Sequence, residues 1–351
     1  MKKLFLFILT VPALFWTCST EVDLLADYKE IPVVYCLLDQ TQPKQYVRIQ
    51  KAFLGPDNAL TMAQEMDSIF YATQLNVVIE EWNNNTLTNS WTLQTDTIPS
   101  RDPGLFYSGA YVIYSLNTTT GMLNSNRTYK LRVRFASDPN KEAYSTTVLV
   151  KTFNFAPVTA NANSVQIVKV NPSSRISVSW NPSATGSFYQ AALRFYYREQ
   201  DINGNVSLKS TPEWVFGSLE QAPGAVNALS LIYDPDAFYR FLVQSIPNDP
   251  NVVWRDGDSI SYTVYAAGED LYTFMRVNSP SSSLVQERPV YSNISTTDPA
   301  TPMAIGVFGS RTKITKRNIQ ITQLTQDTLS RGYISCGLKF RDRNDAVLGC
   351  Q

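Results

Sequence analysis

The most informative absence in this 351-residue chain is histidine, which does not occur at all. Without an imidazole the chain cannot form a Ser-His-Asp or Cys-His catalytic pair, an imidazole general base or a histidine-ligated metal centre. Lysine and arginine together number 30, as do aspartate and glutamate, so the basic excess typical of nucleic-acid binders is missing. We therefore predict a protein that is not an enzyme, with no cofactor, no metal and no nucleic-acid partner.

Cysteine is scarce, with four residues in the chain and no Cys-x-x-Cys pair, which excludes the usual thiolate metal and redox motifs. Apart from Cys18, treated below, three cysteines remain, and these allow at most one disulfide. Cys336 and Cys350 are near neighbours in the sequence, and we predict that they form it. Cys36 lies in the apolar run 31–38 and is interpreted as a small buried hydrophobic residue.

At the N terminus, Met1-Lys2-Lys3 precedes roughly 13 mostly apolar residues, which is the build of a secretory signal peptide. The apolar run is shorter than the roughly 18 to 20 residues that a membrane-spanning helix needs. We predict a signal peptide over residues 1–17 and no permanent transmembrane helix.

The same stretch resembles a bacterial lipoprotein leader, a family in which cleavage before a cysteine leaves that residue to carry lipid. The resemblance implies lipidation of Cys18, a lipid-anchor linker over 18–30 and an outer-membrane lipoprotein that faces the periplasm or the cell surface. Phe15 and Thr17 depart from the small residues usual in such leaders. A conventional signal peptide with Cys18 as a spare thiol is the alternative.

Alternation of apolar and polar residues dominates the rest of the chain. It is strict over 129–135 and recurs over 176–180 and 189–197, which is typical of antiparallel strands with one core face and one solvent face. The pair Asn203-Gly204 predicts a hairpin with a type I′ turn. Further strands are predicted over 45–49, 75–79, 91–93, 144–153, 238–244 and 260–265.

Helical patterns are confined to two short segments, 59–67 and 269–277, so a doubly wound α/β sheet is not expected. Pro157 and the polar residues 159–164 suggest a linker. The sequence predicts an all-β protein with one domain over 31–155 and a second over 156–351.

Two motifs resemble those of fibronectin type III and related immunoglobulin-like domains. In the second domain the motif is Ile176-x-Val178-x-Trp180, then a turn and Tyr189-x-Ala191-x-Leu193; in the first, Tyr129 stands where a tyrosine corner would lie. The resemblance implies two tandem immunoglobulin-like antiparallel β-sandwiches with short accessory helices, the second with a C-terminal extension. The whole layout resembles uncharacterised envelope lipoproteins of the Bacteroidota, which implies a place beside a TonB-dependent nutrient transporter.

Acidic clusters offer few catalytic or metal sites. Asp201-x-Asn203-x-Asn205 has the spacing of half an EF-hand loop, but the position of the essential carboxylate is Pro212, so a hairpin is the better interpretation. Asp234-Pro235-Asp236 and Asp256-Gly257-Asp258 are interpreted as turns, with a loop calcium site as the alternative.

Aromatic residues are plentiful, with 19 Tyr, 17 Phe and 6 Trp, which suits a β-sandwich core but also a surface that binds glycans or proteins. Four tryptophans near predicted loops or strand ends are the candidate binding aromatics, with core packing as the alternative for each. They are Trp82, Trp91, Trp214 and Trp254.

Three functions follow as expectations. The first is a non-catalytic, lipid-anchored envelope protein that serves as a binding or accessory subunit to a transporter or surface protein. The second is a carbohydrate-binding module that captures glycans on aromatic platforms. The third is a hydrolase that uses paired carboxylates, since such an enzyme needs no histidine.

Overall fold

The computed structural model describes most of the chain beyond the leader, so the predicted signal peptide, linker and Cys18 lie outside the described residues. The described residues are 31–52, 59–136, 138–279, 291–299, 304–347 and 350.

Strands make up most of the regular structure in both halves of the chain. The first eight are β1 (Ile31–Leu38), β2 (Lys44–Ala52), β3 (Asn76–Asn83), β4 (Thr86–Thr92), β5 (Gln94–Ile98), β6 (Tyr111–Asn117), β7 (Thr128–Phe135) and β8 (Asp138–Val148). The others are β9 (Asn154–Phe155), β10 (Ser164–Val165), β11 (Ile176–Asn181), β12 (Phe188–Asp201), β13 (Val206–Ser210), β14 (Trp214–Glu220), β15 (Leu229–Tyr233), β16 (Val252–Ala267), β17 (Ser295–Thr296) and β18 (Ile305–Ile321).

The helices are short and lie between strands or after the last one. They are α1 (Ala59–Met62), α2 (Met66–Ile69), α3 (Pro157–Ala160), α4 (Pro235–Ser245), α5 (Glu269–Asn278), α6 (Gln323–Arg331) and a 3-10 helix, Cys336–Leu338. The all-β class is therefore confirmed.

The first half consists of two sheets that face each other across one hydrophobic core. One is the end β18-β1-β2-β6-β5 of a ten-stranded sheet that continues through β16 and β12 into the second half, and the other is the five-stranded sheet β17-β8-β7-β3-β4. Alternation places Val34 of β1 and Val47 of β2 in this core, opposite Leu131 and Val133 of β7. The predicted strand over 129–135 is confirmed, with its charged residues on the other face.

The second half has its own core, enclosed by the long strands β12, β16 and β18, the small sheet β15-β11-β9 and helix α4. Trp180, Phe195 and Phe238 are fully buried there. Tyr189 accepts a hydrogen bond at its hydroxyl from the Ser183 backbone N–H (2.7 Å). In the first half, the Tyr129 hydroxyl accepts one from the backbone N–H five residues upstream (2.7 Å).

Strand β18 belongs to both halves. Its first residues, 305–310, pair in parallel with β1, whereas residues 311–320 pair antiparallel with β16. Phe308 consequently lies in the first core and Ile319 in the second. Because β18 is hydrogen-bonded to strands of both halves, the two tandem immunoglobulin-like sandwiches and the domain ranges 31–155 and 156–351 remain predictions.

One strand prediction is wrong, because residues 238–244 lie in helix α4. Asp234 caps this helix by accepting the Asp236 backbone N–H (2.8 Å), and Pro235 occupies the first turn. Phe238 and Leu242, four residues apart, then share the buried face.

Other local predictions need smaller corrections. The helix over 59–67 is divided into α1 and α2, and the proposed linker after Pro157 contains α3 and β10. The hairpin joining β12 and β13 is confirmed, but its turn is not type I′, because Gly204 has a positive φ of 85° and Asn203 does not.

Candidate functional site

The four candidate tryptophans do not form one surface. Trp82 and Trp91 lie in the first half on neighbouring strands, but Trp91 pairs with the core residue Ile79. Trp82 lies on the other face of β3, where its Nε1 donates to a Glu80 carboxylate oxygen (3.1 Å). Side chains an odd number of positions apart along a strand lie on opposite faces, and Trp82 is three residues from Ile79, the partner of Trp91. The two indole rings therefore lie on opposite faces of the sheet and cannot form one binding surface.

In the second half, Trp214 packs within an aromatic cluster at the edge of the core, stacked on Phe241 with ring centroids 5.5 Å apart. Trp254 lies on β16 under the guanidinium of Arg341, which is 3.7 Å from the ring centroid. Both rings pack against neighbouring side chains.

The acidic clusters serve the fold. Asp201 accepts backbone N–H groups of its own hairpin loop. Asp234 caps α4 by accepting the backbone N–H of Asp236. Asp256 and Asp258 lie in strand β16 rather than in a turn, so the turn interpretation is wrong for them. Asp256 accepts hydrogen bonds from Gln326 (2.8 Å) and Arg341 (3.2 Å). Within the described residues there is no group of three or more cysteine and carboxylate residues that could hold a metal ion.

The cysteines are placed as follows. Cys336 and Cys350 are joined by a disulfide that closes a segment with a sequence separation of 14. Cys36 is a free, buried thiol in β1, and its burial raises its pKa. A thiol with a raised pKa carries little reactive thiolate, so Cys36 is a packing residue.

A surface with a groove of ligand size lies on the outer face of the first sheet, formed by the side chains that alternate with the core residues. Arg48 of β2 lies directly opposite Tyr35 of β1, and Gln50 lies opposite Val33. On this face Phe274 of helix α5 packs edge-on against Tyr35, with ring centroids 5.9 Å apart.

A groove of about 460 Å³ opens on this face beside Arg48, and we call it the Arg48 groove. Its volume lies in the roughly 300 to 1,000 Å³ range of small-molecule sites. Its lining residues on the strands and at their ends are Val33, Arg48, Gln50, Lys51, Ala52 and Tyr111; those outside the sheet are Ile69, Phe70, Arg101, Phe106 and Tyr107. A smaller depression of about 280 Å³ continues along the same face beyond Arg48.

Aromatic rings build one side of the Arg48 groove. Phe70 stacks on Tyr111 with ring centroids 5.0 Å apart, and Tyr107 meets Phe70 edge-on at 6.1 Å. The guanidinium of Arg48 is 5.3 Å from the Tyr111 ring centroid, within the range of a cation–π contact. Phe106 projects into solvent with 61% of its surface exposed.

The loop that carries Phe106 and Tyr107 is held by backbone hydrogen bonds. The Arg101 N–H donates to the Ser108 carbonyl (2.8 Å), and the Tyr107 N–H donates to the Ala63 carbonyl (2.8 Å). The aromatic side of the groove is thus tied to the segment after α1 rather than to the sheet alone.

The electrostatics change along this face. Lys44 pairs with Asp96 at 2.5 Å, and that hydrogen bond raises the pKa of Lys44 and lowers the pKa of Asp96. Arg311 lies 3.6 Å from Asp39. By contrast, no carboxylate is among the described residues that line the Arg48 groove, whereas three cationic residues, Arg48, Lys51 and Arg101, line it.

Sequence reasoning missed the Arg48 groove because its aromatic side comes from segments with no regular pattern. A partial signal exists in Lys44-x-Tyr46-x-Arg48-x-Gln50, whose polar and aromatic residues alternate with the core residues of β2. The alternation alone indicates only an outward face, and the residues that cover this face lie far away in sequence.

No helix in the described ranges combines the length and the apolar character that crossing a bilayer requires. Among curated proteins, none matches this chain. Residues 20–317 match the family described as a domain of unknown function (DUF4249), and the chain therefore belongs to that family.

Proposed function

We propose that this protein is a non-catalytic binding subunit of the cell envelope that captures a small ligand in the Arg48 groove. The observation that carries the proposal is the groove itself, which combines the volume of a small-molecule site with aromatic walls and cationic side chains. The lack of histidine, and the use of the acidic clusters in caps and ion pairs, support a binding role over a catalytic one.

The proposal keeps the lipid anchor on Cys18 and the place beside a TonB-dependent transporter in a Bacteroidota envelope. Its support is the leader-like sequence and the resemblance given above. A lipid at Cys18 would hold the described part of the chain at a membrane without a spanning helix.

We also propose that each half is an immunoglobulin-like sandwich, with β18 shared between them. The supports are the facing sheets of the first half and the hydrogen bonds to the hydroxyls of Tyr129 and Tyr189. Such bonds to nearby upstream backbone are a feature of tyrosine corners.

The second candidate function is carbohydrate capture, on residues other than those predicted from the sequence. The platform is no longer the four tryptophans but Tyr107 and Tyr111 with the exposed Phe106, since these rings line one groove. Rings of this kind offer large rigid contact area to a ligand.

Three experiments test the proposal. Fractionation of source cells that carry the wild type or a Cys18→Ala variant tests the lipid anchor; the expected result is loss of membrane attachment in the variant only. Protease treatment of intact cells, with a periplasmic control protein, then tests whether the protein faces outward. A glycan array probed with the mature chain and with Gln50→Trp, which fills the groove, tests capture. Signals that are present for the wild type and absent for Gln50→Trp are expected; equal signals for both would contradict a role for the groove.

A further inference from the structure

We infer that the ligand of the Arg48 groove is an acidic saccharide, meaning a sugar ring that carries a carboxylate or a sulfate. This inference rests on the proposed binding function and adds the chemical class of the ligand. Its first support is charge. Arg48, Lys51 and Arg101 line one groove, and none of the ion pairs in the described part of the chain includes them.

The second support is an incomplete hydrogen-bond set on Arg48. Its Nε is buried and has no acceptor among the described residues. Most buried polar atoms in proteins have a partner, so this guanidinium lacks an acceptor that it would normally have. Nε itself has almost no accessible surface, so a ligand in the groove would reach the guanidinium at its terminal nitrogens, which can bind a carboxylate or sulfate through two parallel hydrogen bonds.

The third support is the aromatic side, which gives a ring-shaped ligand something to pack on. Tyr107 and Tyr111 are half-buried and Phe106 is mostly exposed, while Gln50 on the adjacent strand offers both a donor and an acceptor to hydroxyl groups. A bare inorganic anion would use the cations alone and leave these rings uncovered. The combination of two arginines, one amide and several rings favours an anionic group attached to a sugar.

The same face supplies a matched control. Lys44 lies on β2 four residues from Arg48 and on the same face, but Asp96 already neutralises it. Replacing Lys44 therefore removes a cation of the same strand without removing one that is open to a ligand.

The test is isothermal titration calorimetry on the mature chain. The probes are trigalacturonate, its neutral methyl ester and galactose 6-sulfate, which has no carboxylate, so that carboxylate, sulfate and neutral ring are separated. We expect at least one acidic probe to bind, with at least tenfold weaker binding of the methyl ester than of trigalacturonate if the anion is a carboxylate. Raising the salt concentration from about 0.05 M to about 0.5 M should weaken the binding of the acidic probe, since screening shortens the range of charge attraction.

Variants locate the effect. Arg48→Gln and the exposed Arg101→Gln are each expected to lower the affinity for the acidic probe at least tenfold, whereas Lys44→Gln should change that affinity less than twofold. Because Arg101 lies on an exposed loop, its replacement tests the inference even if Arg48→Gln fails to fold. Equal binding of trigalacturonate and its ester without binding of the sulfated probe, or no binding of either acidic probe, would overturn the acidic class. If neutral glycans on the array still bind and Gln50→Trp abolishes their signal, the proposed function survives; an empty array would reject that function as well.

Discussion

At the scale of single residues, the buried guanidinium of Arg255 shows how the second half holds its C-terminal segment. Arg255 is fully buried and donates to the Glu199 carboxylate (2.9 Å), the Leu338 carbonyl (2.7 Å) and the Pro247 carbonyl (2.9 Å). One side chain thus ties β12, the end of α4 and the 3-10 helix to β16. A buried charge is tolerated here because each of its nitrogens has an acceptor.

Arg255→Met is predicted to lower the free energy of unfolding by about 3 kcal/mol, since it leaves Glu199 and two carbonyls without their donor. Chemical denaturation monitored by tryptophan fluorescence measures this loss. The control is Arg343→Met, whose ion pair with Asp327 lies at the surface and should matter far less. A loss below about 1 kcal/mol for Arg255→Met would mean that the guanidinium contributes no more than a surface ion pair.

At the scale of elements, strand β18 determines how the two halves meet. Gly306, in its parallel segment, has a φ of +129°, and a Cβ built on it would lie 1.9 Å from the Val34 carbonyl oxygen. Only glycine allows β18 to approach β1 this closely with such a backbone. The backbone contact between β18 and β1 at this position therefore requires glycine.

Gly306→Ala is predicted to destabilise the protein by at least about 2 kcal/mol, because backbone strain and the clash with Val34 add together. Thermal unfolding by circular dichroism measures the effect. Gly104→Ala is the control, since a Cβ there would meet nothing within 4 Å. If both variants melt at the wild-type temperature, the close contact between β18 and β1 does not hold the halves together.

The element scale also shows what the sequence can predict. Strands such as β7 and β12 are predictable because strict alternation leaves one arrangement of core and solvent faces. Helix α4 is not, because Phe238 to Gln244 has the aromatic and branched residues of a strand, and the cap at Asp234 decides the outcome. The pairing of β18 with β1 joins residues about 270 positions apart, which no local pattern reveals.

The candidate site was less predictable than the fold, for the same reason. The four tryptophans are recognisable in the sequence, but their faces depend on strand register, which places Trp91 against one core and Trp214 against the other. The Arg48 groove arises where a strand face meets the loops before β3 and β6. Its lining residues are of common types, and no local pattern in the sequence shows that they lie in one groove.

At the scale of the whole molecule, the lack of histidine predicts an unusual pH profile. Among side chains, only histidine normally changes charge between about pH 5 and 8, and burial raises the pKa of the Cys36 thiol above its ordinary range. Burial also raises the pKa of Tyr129, Tyr233 and Tyr262. The Lys169 ammonium lowers the pKa of Asp236 through a hydrogen bond.

The free energy of unfolding should therefore stay flat from about pH 5.5 to about pH 8.5. Above about pH 10 it should fall, because tyrosines with a raised pKa in the folded state ionise first in the unfolded chain. Below about pH 4 it should fall again, as carboxylates with a lowered pKa are protonated. Urea titrations across this range provide the measurement, and a transition near pH 6.5 would show that a group outside this account controls stability.

Hydrogen–deuterium exchange on the mature chain, with and without saturating trigalacturonate, tests the central claim most directly. If the Arg48 groove is the binding site, amide exchange slows in β2, in β6 and in the loop over 101–110, and does not change around Trp214 and Trp254. Protection confined to the second half, or no protection anywhere, would contradict the claim that this protein captures its ligand on the outer face of the first sheet.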